Sequence, residues 1–137
     1  MSMKARTRSR LPVDAARVAA AQARIISHED AHRMTALLGL LADPVRARIL
    51  HALDTVEELC VGDIVLALNV TEDATGYALR VLRTAGFVTG RRTGHLVYYR
   101  ITEEFPIPLR EHCLRRLVDL LQQSVESQRR DGEEVQR

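Results

Sequence analysis

The stretch Glu57-Glu58-Leu59-Cys60-Val61-Gly62-Asp63-Ile64 places a thiol at the entrance of a short helix. A helix dipole favours the thiolate at such a position, and a thiolate is both a nucleophile and a ligand for soft ions. A second thiol, Cys113, falls on the apolar side of the last helix with Leu109, Leu117 and Leu120 when residues are stepped by about 100°. Two thiols satisfy a linear Hg(II) ion, whereas most other soft ions require three or four donors. His28 and His32 are four residues apart and share a helix face, a spacing suited to two ligands of one ion. His112 adjoins Cys113 but points about 100° away from it. Glu58 and Asp63 add oxygen donors, Asp63 serving equally well as a helix cap. Each residue has a plain alternative. The thiols fit small buried hydrophobes, and the histidines fit a solvated helix surface. A third alternative is a reversible Cys60–Cys113 bridge or a persulfide at these sulfurs, which requires Cα atoms within about 7 Å.

The elements that position these residues follow from capping and periodicity. Asp14 to Ile26 is Ala-rich and helix-prone. Ser27 with Asp30 resembles a capping box ahead of a helix that runs to about Ala42. Asp43-Pro44 is a cap followed by proline at the first helical position, opening a helix Val45–Leu53. A polar loop, Asp54–Leu59, leads to a short helix, Val61–Leu68. Asn69-Val70-Thr71 is a turn with Thr71 as N-cap, and the helix Glu72–Ala85 stops at Gly86. Two alternating segments, Phe87–Arg92 and His95–Ile101, are joined at Thr93-Gly94 and read as a hairpin. Pro106 and Pro108 precede a long helix from Leu109 to about Gln128. The fold expected is mainly α (α+β): a winged helix–turn–helix with a two-stranded wing and extra N- and C-terminal helices. Residues 1–12 form a basic arm, 13–128 the winged helix–turn–helix domain, and 129–137 a polar tail.

On the helix after Thr71, the residues Asp73, Gly76, Tyr77, Arg80 and Thr84 share one face, with Arg83 at its border. Ala74, Thr75, Ala78, Val81, Leu82 and Ala85 face the other way, toward the domain. A groove-reading helix needs this pairing of a packing face with donors and a small residue that permits close approach. Arg91, Arg92 and His95 on the hairpin are placed to grip the backbone beside it, so the DNA-contacting set is Thr71, Asp73, Gly76, Tyr77, Arg80, Arg83, Arg91, Arg92 and His95. The helix–turn–helix, followed at once by a basic hairpin, favours this over an ordinary solvated face.

Composition sets the bounds. With 46% hydrophobic residues in 137, a packed core is attainable, and 4% aromatics leave it built from Leu, Val, Ala and Ile. A net charge of +2 carries no argument for nucleic acid by itself; the clustering of arginines does. No apolar run approaches a bilayer span and no signal-peptide pattern opens the chain, so a cytoplasmic protein with no membrane partner is expected. No nucleophile–base pair or phosphate-cradling loop suggests an enzyme.

Four separated motifs carry a family resemblance over about residues 34–120. Leu41-Ala42-Asp43-Pro44-Val45-Arg46-Ala47-Arg48-Ile49-Leu50 resembles an opening signature, and Glu58-Leu59-Cys60-Val61-Gly62-Asp63-Ile64 a metal-site segment. Leu79 to Val88 and Gly94 to Arg100 resemble the end of a recognition helix and its wing. The chain is thereby identified as similar to the ArsR/SmtB metal-responsive repressors, nearest the cadmium/lead-sensing branch. The resemblance implies a homodimer on a palindromic double-stranded operator, released by a thiophilic ion (Cd, Pb, Hg, Zn or As). It also implies Cys60 as a ligand and a partner ligand from the N-terminal region of the opposite subunit, where His28 and His32 lie; Cys113 and His112 are candidate partners by their positions on the last helix. The branch pattern Glu-Leu-Cys-Val-Cys-Asp keeps its first thiol here as Cys60 and has Gly62 at the second. The further family site on the last helix, of Asp, His, His and Glu, has no counterpart between Thr102 and Gln123.

Overall fold

The computed structural model describes residues 10–135, so most of the expected basic arm lies outside the described residues. Two compact units meet in sequence between Ala36 and Leu37. In the first, α1 (Ala15–Gln22) is capped by Asp14, whose carboxylate accepts the Arg17 N–H at 2.9 Å. It ends four residues before the expected Ile26, leaving the β-branched pair Ile25–Ile26 outside. The next helix, α2 (His28–Leu41), starts on Ser27, whose Oγ accepts the Asp30 N–H at 3.0 Å. The Asp30 carboxylate turns to Arg33, so only half of the capping box is made.

The second unit begins within α2. Asp43 caps α3 (Pro44–Val56) by accepting the Arg46 N–H at 3.0 Å. The Arg46 side chain donates to the carbonyls of Leu40 and Gly39, at 2.8 and 3.1 Å, satisfying the end of α2. Nothing breaks α3 at Leu53, and it runs three residues further than expected. It stops at Glu57, which has φ 73° and ψ −49° while the Glu58 N–H donates to the Val56 carbonyl. This tight γ-turn costs a residue with a side chain about 1–3 kcal/mol. The turn delivers the chain into β1 (Leu59–Cys60), a strand where a loop was expected.

Helix α4 (Val61–Leu68) ends on Asn69 in the left-handed conformation, and Thr71 caps α5 (Glu72–Thr84) through the Ala74 N–H at 3.1 Å. Gly86, at φ 80°, closes α5: its N–H reaches the Arg83 carbonyl and that of Phe87 reaches Leu82. These are the two bonds of a Schellman end, and they aim the chain into the wing. β2 (Val88–Thr93) and β3 (Leu96–Ile101) pair antiparallel, with β1 on the far side of β3, so the sheet order is β1-β3-β2. The wing sheet has three strands rather than two. Thr93 pairs with Leu96, which moves the turn one residue on, to Gly94-His95.

Ile49, Leu50 and Leu53 of α3, Ile64 and Leu68 of α4 and Ala78, Leu79 and Leu82 of α5 form the core with Phe87, Val88, Ile101, Phe105 and Leu114. Phe87 and Phe105 meet edge to face at 4.8 Å. After Pro106 and Pro108 the chain forms a π-helix, Leu109–Leu117, and then α6, Val118–Val135. Helix therefore continues through 129–135, where a polar tail was expected.

Asp54, in the last turn of α3, ties this C-terminal segment down. Its carboxylate, 7% exposed, accepts from Arg110 Nε at 2.6 Å and from Arg115 through two nitrogens, both at 3.0 Å. The Arg115 hydrogen bond, reinforced by Arg110, outweighs burial and holds the Asp54 carboxyl below the usual carboxylate range. A depressed carboxyl contributes stability above its unfolded pKa and loses it as pH falls through the folded value. Asp54→Asn is therefore expected to cost about 2–3 kcal/mol at neutral pH. The gap from the wild-type chain should close below about pH 4. Urea denaturation of both proteins from neutral to acid pH checks this, and a gap that does not change with pH contradicts it.

Candidate functional site

Helix α5 presents the two faces its sequence requires. Thr75, Ala78, Leu79 and Leu82 are buried, Ala74 and Val81 are half-buried, and Asp73, Tyr77, Arg80, Arg83 and Thr84 are exposed; Ala85, expected on the packing face, caps the helix and is exposed. Thr75 is accommodated in the core because its hydroxyl donates to the Thr71 carbonyl at 2.9 Å. Thr71 itself is exposed, with its hydroxyl oxygen occupied by the cap. Gly76 sits on the outer face, where a Cβ would meet nothing within 4 Å. The fold of one chain does not ask for a glycine there. Between α4, α5 and the wing lies a cavity of about 220 Å³, lined by Val61, Gly76, Leu79, Arg80, Arg83 and Tyr99.

On the wing, Arg92 and His95 are exposed, and Arg92 makes no ion pair among the described residues. Arg91 is committed elsewhere. Its guanidinium donates to the Glu58 carboxylate at 2.5 Å and to Thr93, and lies 5.2 Å over the Tyr98 ring. This pair holds the Glu58 carboxyl below its ordinary range and raises the Arg91 guanidinium. The sequence did not suggest it, because only the pairing of β1 with β3 carries Glu58 to the hairpin. Arg100, on the outer side of β3, is a further exposed cation that sequence reasoning passed over.

Cys60 closes β1 and is also the N-cap residue of α4, where its side chain makes no capping bond. Asp63 lies in the first turn of α4 rather than at its cap. Cys60 is 8% exposed and stands opposite Tyr98, the same β3 residue that faces Arg91 on the other side. Cys113 is half-buried and lines an apolar cavity of about 290 Å³ with Leu38, Leu41, Ala47, Leu114 and Leu121. The expected neighbours Leu109 and Leu120 do not line it, because π turns advance less per residue than the α-helical step. His112 is exposed, and so are His28 and His32, whose rings stack 6.0 Å apart. Both cysteines are free. Among the described residues of one chain, no three His, Cys, Asp or Glu side chains come together around a point where an ion could sit. No helix among the described residues is long and apolar enough to cross a membrane.

Known proteins are similar to this chain in sequence and fold. Residues 43–89 match the family described as bacterial regulatory protein, arsR family. The chain is 37% identical over 103 residues to a transcriptional repressor SmtB homolog of Synechocystis sp., covering 75% of this chain and 74% of that protein. It is 33% identical over 76 residues to the cadmium resistance transcriptional regulatory protein CadC of Listeria innocua, covering 56% of this chain and 64% of that one. The transcriptional regulator HlyU of Vibrio vulnificus is similar in structure, with a TM-score of 0.53 and 27% identity over 69% of this chain and 90% of that one. With its helix–turn–helix, its exposed arginine face and this likeness over three quarters of its length, the chain belongs to the ArsR/SmtB family of DNA-binding winged helix–turn–helix transcription regulators.

Proposed function

We propose that this regulator is a homodimeric repressor that binds a palindromic operator and releases it when a thiophilic metal or metalloid ion binds at Cys60. The observation that carries the reading is the position of Cys60, last residue of a wing strand and first cap of the helix–turn–helix. A displacement of this residue moves β1 against Tyr98 and shifts the start of α4, which packs on α5. The reading head therefore has a mechanical input. Binding lowers operator affinity only to the extent that the ion prefers the displaced form.

Dimerisation is supported by the C-terminal helices, where Leu117, Leu120, Leu121 and Val125 are each about half exposed, an apolar stripe without a partner in one chain. The relatives named for cadmium resistance and as repressors support the class of signal and the sign of the response. Because the described residues of one chain offer no three convergent donors, the reading requires a two-coordinate ion or donors from the second subunit, with Cys113, His112, His28 and His32 as the candidates. For DNA, the proposed contacts are Thr71, Asp73, Gly76, Tyr77, Arg80 and Arg83 on the reading helix, and Arg92 and His95 on the wing. Arg91 contributes once it leaves Glu58.

Three outcomes follow. In fluorescence-anisotropy titrations on duplex from its own promoter, Cd(II) or Hg(II) under reducing conditions should release the wild-type protein, and Cys60→Ser should stay bound. Release of Cys60→Ser at wild-type ion concentrations overturns the sensing role, and release by oxidant alone assigns the signal to thiol chemistry. Gly76→Ala should stabilise the protein to urea by about 1 kcal/mol while weakening operator binding, since the glycine serves approach and not the fold. Equal or tighter binding by this variant removes Gly76 from the interface. Glu58→Gln frees Arg91 for phosphate and should steepen the dependence of log affinity on log salt by about 1. An unchanged slope keeps Arg91 out of the interface.

A further inference from the structure

Residues Leu109–Leu117 are a π-helix nine residues long, where such geometry ordinarily occupies a single turn and marks functional sites. The segment Leu-Arg-Glu-His-Cys-Leu-Arg-Arg-Leu holds no glycine or proline that would force an irregularity. Its cause lies beneath it. Asp54 accepts from both Arg110 and Arg115, which are five residues apart. Five α-helical steps leave two side chains about 140° apart around the axis. The i→i+5 bonding of a π-helix instead brings residues five apart toward one side. The double ion pair and the register therefore favour each other.

We propose that Asp54 is a register clamp. It holds 109–117 in the π form, and its release lets the segment fall back to an α-helix. An α-helix spans the same length with about two residues fewer, so α6 then turns by about 160° against the DNA-binding core. Cys113 lies at the middle of the switching segment and faces the cavity formed with Leu38, Leu41, Leu114 and Leu121. A change of register moves this thiol, and the apolar stripe of α6, together. The consequence for DNA rests on the proposed homodimer, in which α6 sets the separation of the two reading heads; the register itself does not.

The test uses the full chain carrying Asp54→Asn, which keeps the shape of the side chain and removes its charge. A crystal structure is expected to show α-helical bonding through 109–117, and operator affinity at fixed salt should fall by about tenfold or more. Deleting the exposed pair Glu111 and His112 from the Asp54→Asn chain removes the surplus residues, returns α6 close to its wild-type phase and should recover operator binding. A merely structural role for Asp54 does not produce that rescue. If Asp54→Asn does not fold, Arg115→Gln opens half of the clamp from a half-exposed position, with the same register change expected. A π-helix that persists in the folded variant overturns the clamp, and a deletion that fails to rescue overturns its coupling to DNA. If the wild-type protein binds no operator, the repressor reading fails while the crystallographic register still decides the clamp.

Discussion

The pairing of two residues, Leu59 and Cys60, with Tyr99 and Tyr98 of β3 is the contact on which the working arrangement depends. It makes the only cysteine near the helix–turn–helix part of the wing sheet. It also brings Glu58 onto Arg91, which lies over Tyr98. A strand this short is held by its surroundings rather than by its own propensity. On one side the chain enters it through Glu57, itself in a costly backbone conformation, and on the other Cys60 passes directly into α4. Strain of that kind persists only where neighbouring packing fixes it, and it is characteristic of segments that change state.

The core explains why a displacement there is transmitted and not absorbed. Ile49, Leu50 and Leu53 are fully buried against Ile64 of α4 and Leu82 of α5, and close-packed interiors shift as units. Gly86 then fixes the exit of α5 into β2 through two backbone bonds, so the reading helix and the wing are positioned by one turn. The side chains proposed to contact DNA hang on that frame: the exposed face of α5 is polar, and its glycine meets open space.

Much of this was legible in the sequence because local chemistry decides it. Asp43, Thr71 and Gly86 announce helix ends by mechanisms that act over three or four residues, and each does so in the structure. The alternation of Leu96, Tyr98 and Arg100 gave the wing. Three features escaped because they arise from contacts distant in sequence. β1 is too short to show a period, and it exists because β3 offers it an edge. The π-helix is set by Asp54, more than fifty residues upstream, and it rotates Cys113 toward Leu121 and away from Leu120. The commitment of Arg91 to Glu58 was hidden for the same reason, since the register of β1 creates it.

The central claim is that Cys60 reaches the DNA-binding surface through the β1–β3 ladder. Hydrogen–deuterium exchange on the operator-bound protein, with and without Cd(II) under reducing conditions, tests it most directly. The amides of 59–60 and 98–99 should lose protection on adding the ion, before any change in the helices of the core. Release from DNA with those amides unchanged would contradict the claim.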